Sequence, residues 1–226
     1  MELIRNFIQG TWVNSKSGET FPSINPANTD EKIGIVSKSD REDVDDAVKA
    51  AREAYEGWRL TPAPRRGEIL FRVAELLLRN KESLARLETR EMGKILREAL
   101  GDLQEAIDMG YYMAGEGRRL SGETAPSELP DKDMKSVRVP VGVFGLITPW
   151  NFPIAIPAWK IFPALVCGNT VIFKPSSETS VCAAKFVEIF EKAGLPRGVL
   201  NLIHGPGADV GESLVSHPGV DAISFT

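Results

Sequence analysis

Residues 142–180, GVFGLITPWNFPIAIPAWKIFPALVCGNTVIFKPSSETS, set two apolar β-like runs on either side of a helical pattern. The first run begins upstream, in VRVPVGVFGLITP (137–149), a β-branched stretch split by a proline and two glycines. The second is GNTVIFKP (168–175), and Ile154 to Val166 between them has helical spacing. Working outward, GVLNLIHG (198–205) and VDAISFT (220–226) repeat the strand signal. Val181 to Ala193 and Ala208 to Ser216 repeat the helical one. Strands alternating with helices predict an α/β fold with a parallel sheet wrapped by helices over residues 137–226.

Residues 1–136 have a different texture. The first 35 or so are turn-rich: FIQGTWV (7–13) alternates around Gly10 as a hairpin would, and NSKSGE (14–19) is a turn cluster before Phe21 and Ile24. A helix is expected from Asp40, an N-cap with Asp43 three residues on. Val44, Ala47, Val48, Ala51 and Tyr55 share one face of it. Pro62 and Pro64 end it. Ile69, Leu70, Val73, Leu76 and Leu77 mark a second helix, and Asn80 opens a third with Leu84, Leu87 and Met92. A fourth is expected from Lys94 to Leu120. The Glu and Arg residues among these positions read as solvated faces. SGETAPSELPDKDMKS (121–136) reads as a loop or hinge. The expected organisation is a hairpin and helical layer (1–136) feeding a βα-alternating sheet (137–226) that stays open at its C-terminal end.

Composition narrows the class. With 42% hydrophobic and 26% charged residues in 226, the chain is neither disordered nor collagen-like nor a disulfide scaffold. Its 27 Lys and Arg against 31 Asp and Glu, a net charge of −4, give no reason to expect nucleic acid or an anionic membrane as partner. The two cysteines, Cys167 and Cys182, form no metal pattern and fit a reducing compartment. MELIRNFIQG has no apolar signal core, and the apolar run around Pro140 to Ile147 is too short to span a bilayer, so a cytoplasmic protein is expected.

Ligands of a parallel α/β sheet sit beyond the carboxyl ends of its strands. The residues there are Thr148-Pro149-Trp150-Asn151-Phe152-Pro153, Lys174-Pro175-Ser176-Ser177-Glu178-Thr179, the glycines Gly205, Gly207 and Gly211, and Thr226. Each also reads structurally: Asn151 as a turn residue, Lys174 as a solvated strand end, the serines as helix caps, the glycines as turn formers. Gly205 to Gly211 is GxGxxxG, not the dinucleotide fingerprint GxGxxG. What favours function is coincidence: a cation, hydroxyls and a Gly-rich turn all fall at strand C-termini, as a phosphate-bearing cofactor requires.

The segment 142–180, with GLPRGVLNLIHGPG and DAISFT after it and FIQGTWV, INPAN and ETREMGK before it, resembles the aldehyde dehydrogenase superfamily along essentially the whole chain. PWNFP and FKPSS at their mutual spacing carry the resemblance. It implies a Rossmann-like sheet, and NADP- or NAD-dependent oxidation of an aldehyde to an acid through a cysteine thiohemiacetal and thioester. Asn151 matches the family's oxyanion-binding amide. Lys174 matches the lysine on the adenosine ribose, and Ser177 the position that sorts NAD from NADP. Ile147, Thr148, Pro149 and Trp150 match the groove lining, Gly207 and Gly211 the glycines under the adenine end, and Phe225 the approach to the pyrophosphate turn. Phe152, Ile156 and Trp159 match the substrate tunnel wall. No metal is implied.

The family's nucleophilic cysteine and glutamate base lie further along than residue 226, and neither Cys167 nor Cys182 matches the nucleophile. The resemblance therefore implies the N-terminal part of such an enzyme, stopping before the catalytic domain and inactive alone, with a homo-oligomer (dimer or tetramer) expected of the whole. The alternative is a catalytically inactive cofactor-binding or interaction module of this fold. GEGRRLSGET (115–124) is closest to semialdehyde enzymes of the 2,5-dioxopentanoate kind, where Arg118 or Arg119 could meet a substrate carboxylate or simply end a solvated helix.

Overall fold

The computed structural model describes residues 2–226. Its centre is a six-stranded sheet ordered β11-β8-β9-β10-β2-β3. Four strands, β8 (Val143–Ile147), β9 (Thr170–Lys174), β10 (Leu200–Leu202) and β11 (Ala222–Phe225), run parallel. The hairpin β2 (Asn6–Ile8) and β3 (Thr11–Val13) extends the sheet antiparallel, pairing Phe7 with Leu202. The FIQGTWV hairpin thus forms as read and docks on the β10 edge, while β11 is the opposite edge. Residues 2–37 also contribute β1 (Leu3–Ile4), β4 (Thr20–Ile24) and β5 (Lys32–Ser37), a small sheet ordered β1-β5-β4.

Both faces of the large sheet are buried, which explains why β9 reads as one unbroken apolar run rather than an alternating one. Side chains of successive residues point to opposite faces. Val171 and Phe173 enter the larger core with Leu70, Leu77, Leu103, Phe162 and Phe190, whereas Ile172 joins Val44, Val48, Val143 and Leu214 on the other side. Helix α1 (Arg41–Leu60) covers that second face. The capping box expected at its start is present: Asp40 accepts from the Asp43 backbone and Asp43 from the Asp40 backbone. Helices α4 (Ala155–Val166) and α5 (Ser180–Lys192) make the crossovers β8–β9 and β9–β10. They pack under the long pair α2 (Ala63–Met92) and α3 (Leu96–Glu116).

Several sequence expectations are corrected. Asn80 opens no new helix: α2 runs through it without a break, and its side-chain amide donates to the Leu76 carbonyl one turn back. Local polarity yields here to a continuous buried stripe, Leu70, Leu77 and Leu84. The 121–136 stretch is not all loop but holds a short exposed hairpin, β6 (Thr124–Pro126) with β7 (Asp133–Lys135). Of the β-branched run 137–147 only Val143–Ile147 pairs, and Val137, Val139 and Val141 lie exposed. Cys167 caps the end of α4. Residues 207–211 form a π turn leading into α6 (Glu212–Ser216). The acidic and basic residues of α2 and α3 are not all solvated: Arg66, Glu88, Glu91 and Asp102 are buried. No helix among the described residues is long and apolar enough to cross a membrane.

Candidate functional site

Parallel pairing brings the carboxyl ends of β8, β9 and β11 side by side: Ile147 sits opposite Lys174 on one side and Phe225 on the other. Just past them the Thr148 N–H donates to the Lys174 carbonyl at 3.2 Å. Lys174 is the focus. It lies on the α6 side of the sheet, almost wholly buried, and its ammonium donates to the carbonyls of Pro175 (2.7 Å) and Gly205 (3.0 Å). Ser177, in a single 3-10 turn ahead of α5, donates to the same Gly205 carbonyl at 3.2 Å. Lys174 and Ser177 therefore converge on Gly205, which the sequence offered both as a ligand-site glycine and as a turn former. Gly205 has φ +147°, and a Cβ there would stand 2.5 Å from Val210. Burial pushes the Lys174 ammonium down to about 8.

Gly207 and Gly211 leave space. A Cβ on Gly211 would only touch the Lys174 stem, at 3.6 Å, and one on Gly207 would meet nothing within 4 Å. The Thr148 hydroxyl is buried with no partner. A cation with one N–H to spare, a hydroxyl donor and a bare glycine turn suit a ribose or phosphate oxygen, so the residues present fit a dinucleotide.

The loop after β8 presents Trp150 and Asn151 to solvent, with Pro149 and Phe152 half-buried. Asn151 and Phe152 line a cavity of about 400 Å³ together with Met92, Lys94 and Asp102. Behind it lies a buried ion cluster: Lys94 Nζ stands 2.9 Å from Glu88 and 3.5 Å from Asp102. Burial, then repulsion from Asp102, pushes the Glu88 carboxyl up to about 8, and burial lifts Asp102 as well. One ammonium does not keep two carboxylates ionised in such an interior.

The three residues expected on a tunnel wall, Phe152, Ile156 and Trp159, do not share one cavity. Ile156 and Trp159 line a separate one of about 790 Å³ beside Leu146, Lys160 and Ser224, whereas Phe152 faces the Asn151 cavity; the Phe152 and Trp159 rings stack at 6.4 Å. Phe225 is 73% exposed at the sheet edge. Arg118 and Arg119 lie at the end of α3, ion-paired with Glu68 and Glu116, and line neither cavity. Cys182 is fully buried and its thiol is pushed well up by burial and by neighbouring Glu91. Cys167 is half-buried and raised by burial too.

A profile described as the aldehyde dehydrogenase family matches residues 12–226. The chain belongs to this family. It is 49% identical to the alpha-ketoglutaric semialdehyde dehydrogenase of Bacillus subtilis, over 98% of this chain and 45% of that one. It is 40% identical to the 2,5-dioxopentanoate dehydrogenase of Saccharolobus solfataricus, over 95% of this chain and 45% of that one. The crystal structure of a betaine aldehyde dehydrogenase point mutant from Staphylococcus aureus, in complex with NAD+, superposes with a TM-score of 0.95 at 39% identity, covering 98% of this chain and 45% of that one. The chain thus spans about 45% of the length of the relatives it matches.

For this aldehyde dehydrogenase chain, sequence reasoning missed Glu88, Lys94 and Asp102. The signal for Glu88 was ETREMGK (88–94), where Glu88 and Glu91 fall on the buried face of a helix rather than opposite it. Lys174 gives a stability prediction. Its pKa falls from 10.5 unfolded to about 8 folded, so between those values the unfolded chain binds more protons and folding stability rises with pH. That gap corresponds to about 3 kcal/mol. Urea unfolding at pH 8 and pH 10 is expected to show the wild type gaining stability relative to Lys174→Met; parallel pH profiles would contradict it.

Proposed function

We propose that the full-length protein is a cytoplasmic, homo-oligomeric NAD(P)-dependent dehydrogenase that oxidises a semialdehyde, of the 2,5-dioxopentanoate type, to its acid. The convergence of Lys174 and Ser177 on Gly205, one strand from an exposed Asn151, carries this reading. Lys174 would hold ribose hydroxyls or a 2′-phosphate, with Ile147 to Trp150, Gly207, Gly211 and Phe225 around the rest of the cofactor. When bound, NAD(P) supplies the hydride acceptor. The substrate class is supported by the names of the two curated relatives.

Aldehyde oxidation of this kind needs a thiolate to attack the carbonyl, forming a thiohemiacetal, and a base that lets water open the later thioester. The Asn151 side-chain amide donates to the oxygen that gains charge on attack, and it does so without titrating. Neither cysteine of these 226 residues suits the nucleophile, since burial holds both thiols protonated. The pure 226-residue polypeptide is therefore expected to form no NAD(P)H from aldehyde. Robust, thiol-sensitive turnover by it would overturn that assignment.

In the full-length enzyme Asn151→Ala is expected to lower kcat by about 100- to 1000-fold, the scale of one lost oxyanion donor. Retention of kcat within a few-fold would remove Asn151 from the mechanism. Serine at 177 carries no charge to repel a 2′-phosphate, so NADP should bind alongside NAD. Ser177→Glu is expected to weaken NADP by at least about tenfold relative to NAD, by like-charge repulsion. Equilibrium titrations of both cofactors check this, and a wild type that binds NAD alone would refute it.

A further inference from the structure

Asn151 makes no side-chain hydrogen bond among the described residues, so its direction is set by the backbone that carries it. That backbone is fastened just downstream at two points. The Lys94 ammonium lies 4.1 Å from the centre of the Phe152 ring, a cation–π contact. Asp102 Oδ1 accepts the Ala155 N–H at 2.7 Å, at the start of α4. Asp102 Oδ2 faces Lys94, and Lys94 is held in turn by Glu88. Both carboxylate side chains have no solvent exposure and that of Lys94 only 6%.

Three ionisable groups in an interior are a poor way to gain stability, because apolar residues of similar volume often do as well or better. Their geometry serves something else. The cluster joins the last turn of α2 (Glu88), the α2–α3 link (Lys94) and α3 (Asp102) to the one loop that presents Asn151. We infer that Glu88, Lys94 and Asp102 are positioning residues that hold the Phe152–Ala155 segment and thereby aim the Asn151 amide. This inference rests on the oxyanion role proposed for Asn151.

A double-mutant cycle in the full-length enzyme tests it. Asp102→Ala frees the Ala155 N–H while leaving Lys94 paired with Glu88. It is expected to lower kcat by about 10- to 100-fold, the scale of a displacement of up to about 1 Å, with cofactor affinity and aldehyde KM within about twofold. Asp102→Asn, which keeps an acceptor for that N–H, should restore most of the loss. In the Asn151→Ala background Asp102→Ala should cost less than about twofold more, because nothing is left to aim. Equal losses in both backgrounds would make the cluster merely structural and overturn the inference. Full activity of Asn151→Ala alone would instead overturn the oxyanion role on which it rests. Should Asp102→Ala not fold, Lys94→Met and its restoring partner Lys94→Arg break the other fastening and carry the same cycle, with additive loss again overturning the inference.

Discussion

A parallel sheet buried on both faces leaves polar chemistry one place to go, the ends of its strands. Here the constraint is strict. The five residues of β9 are all buried, and the first side chain able to meet a polar ligand is the terminal Lys174. The neighbouring strands end in register with it, so ladder pairing brings the Thr148 N–H, the Lys174 ammonium and the turn at Gly205 together, and hydrogen bonds to the Lys174 and Gly205 carbonyls then join them. The sheet supplies rigidity, and the loops beyond it supply the functional groups.

The helical layer answers a second demand, that the loop after β8 be stiff. Short loops with exposed tips are ordinarily the least ordered parts of a domain. This one carries exposed Trp150 and Asn151, yet is followed at once by residues tied to buried charge. A similar device recurs nearby: Glu91 accepts from the backbone of Val181 and Cys182 at the start of α5 and from the Ser23 hydroxyl. Two crossover helices of the sheet therefore start on carboxylates supplied by the α2–α3 pair, Asp102 for α4 and Glu91 for α5. Buried acids at helix N-termini are favourable partners for the unpaired N–H groups there, which offsets part of the cost of placing them in the interior.

Much of this was legible in the residues. The alternating strands and helices of 137–226, the hairpin around Gly10 and the Asp40 capping box follow from periodicity and local chemistry, which act over a few residues. The family followed from PWNFP and FKPSS. What escaped was non-local. Nothing near Asn80 says that Leu70, Leu77 and Leu84 share one buried stripe across it. Glu88, Glu91 and Asp102 look like surface acids because their partners, Lys94 and the first N–H groups of α4 and α5, lie on other elements or far along the chain. The parting of Ile156 and Trp159 from Phe152 was hidden for a related reason: helical spacing places residues on a face but does not say what the face is packed against.

The placement of the N-terminal hairpin has a bearing on how the chain acquires this structure. The Asn6 side-chain carbonyl accepts the backbone N–H of His204, a contact spanning 198 positions, and Phe7 pairs with Leu202. During synthesis β2 exists long before β10 does, and at ribosomal rates of about 5–20 residues per second the interval is of order ten seconds or more. For that time Phe7 and Trp12, whose rings lie 4.8 Å apart at a tilt in the finished structure, have no sheet edge to join. Docking of this hairpin is consequently a late, high-contact-order event.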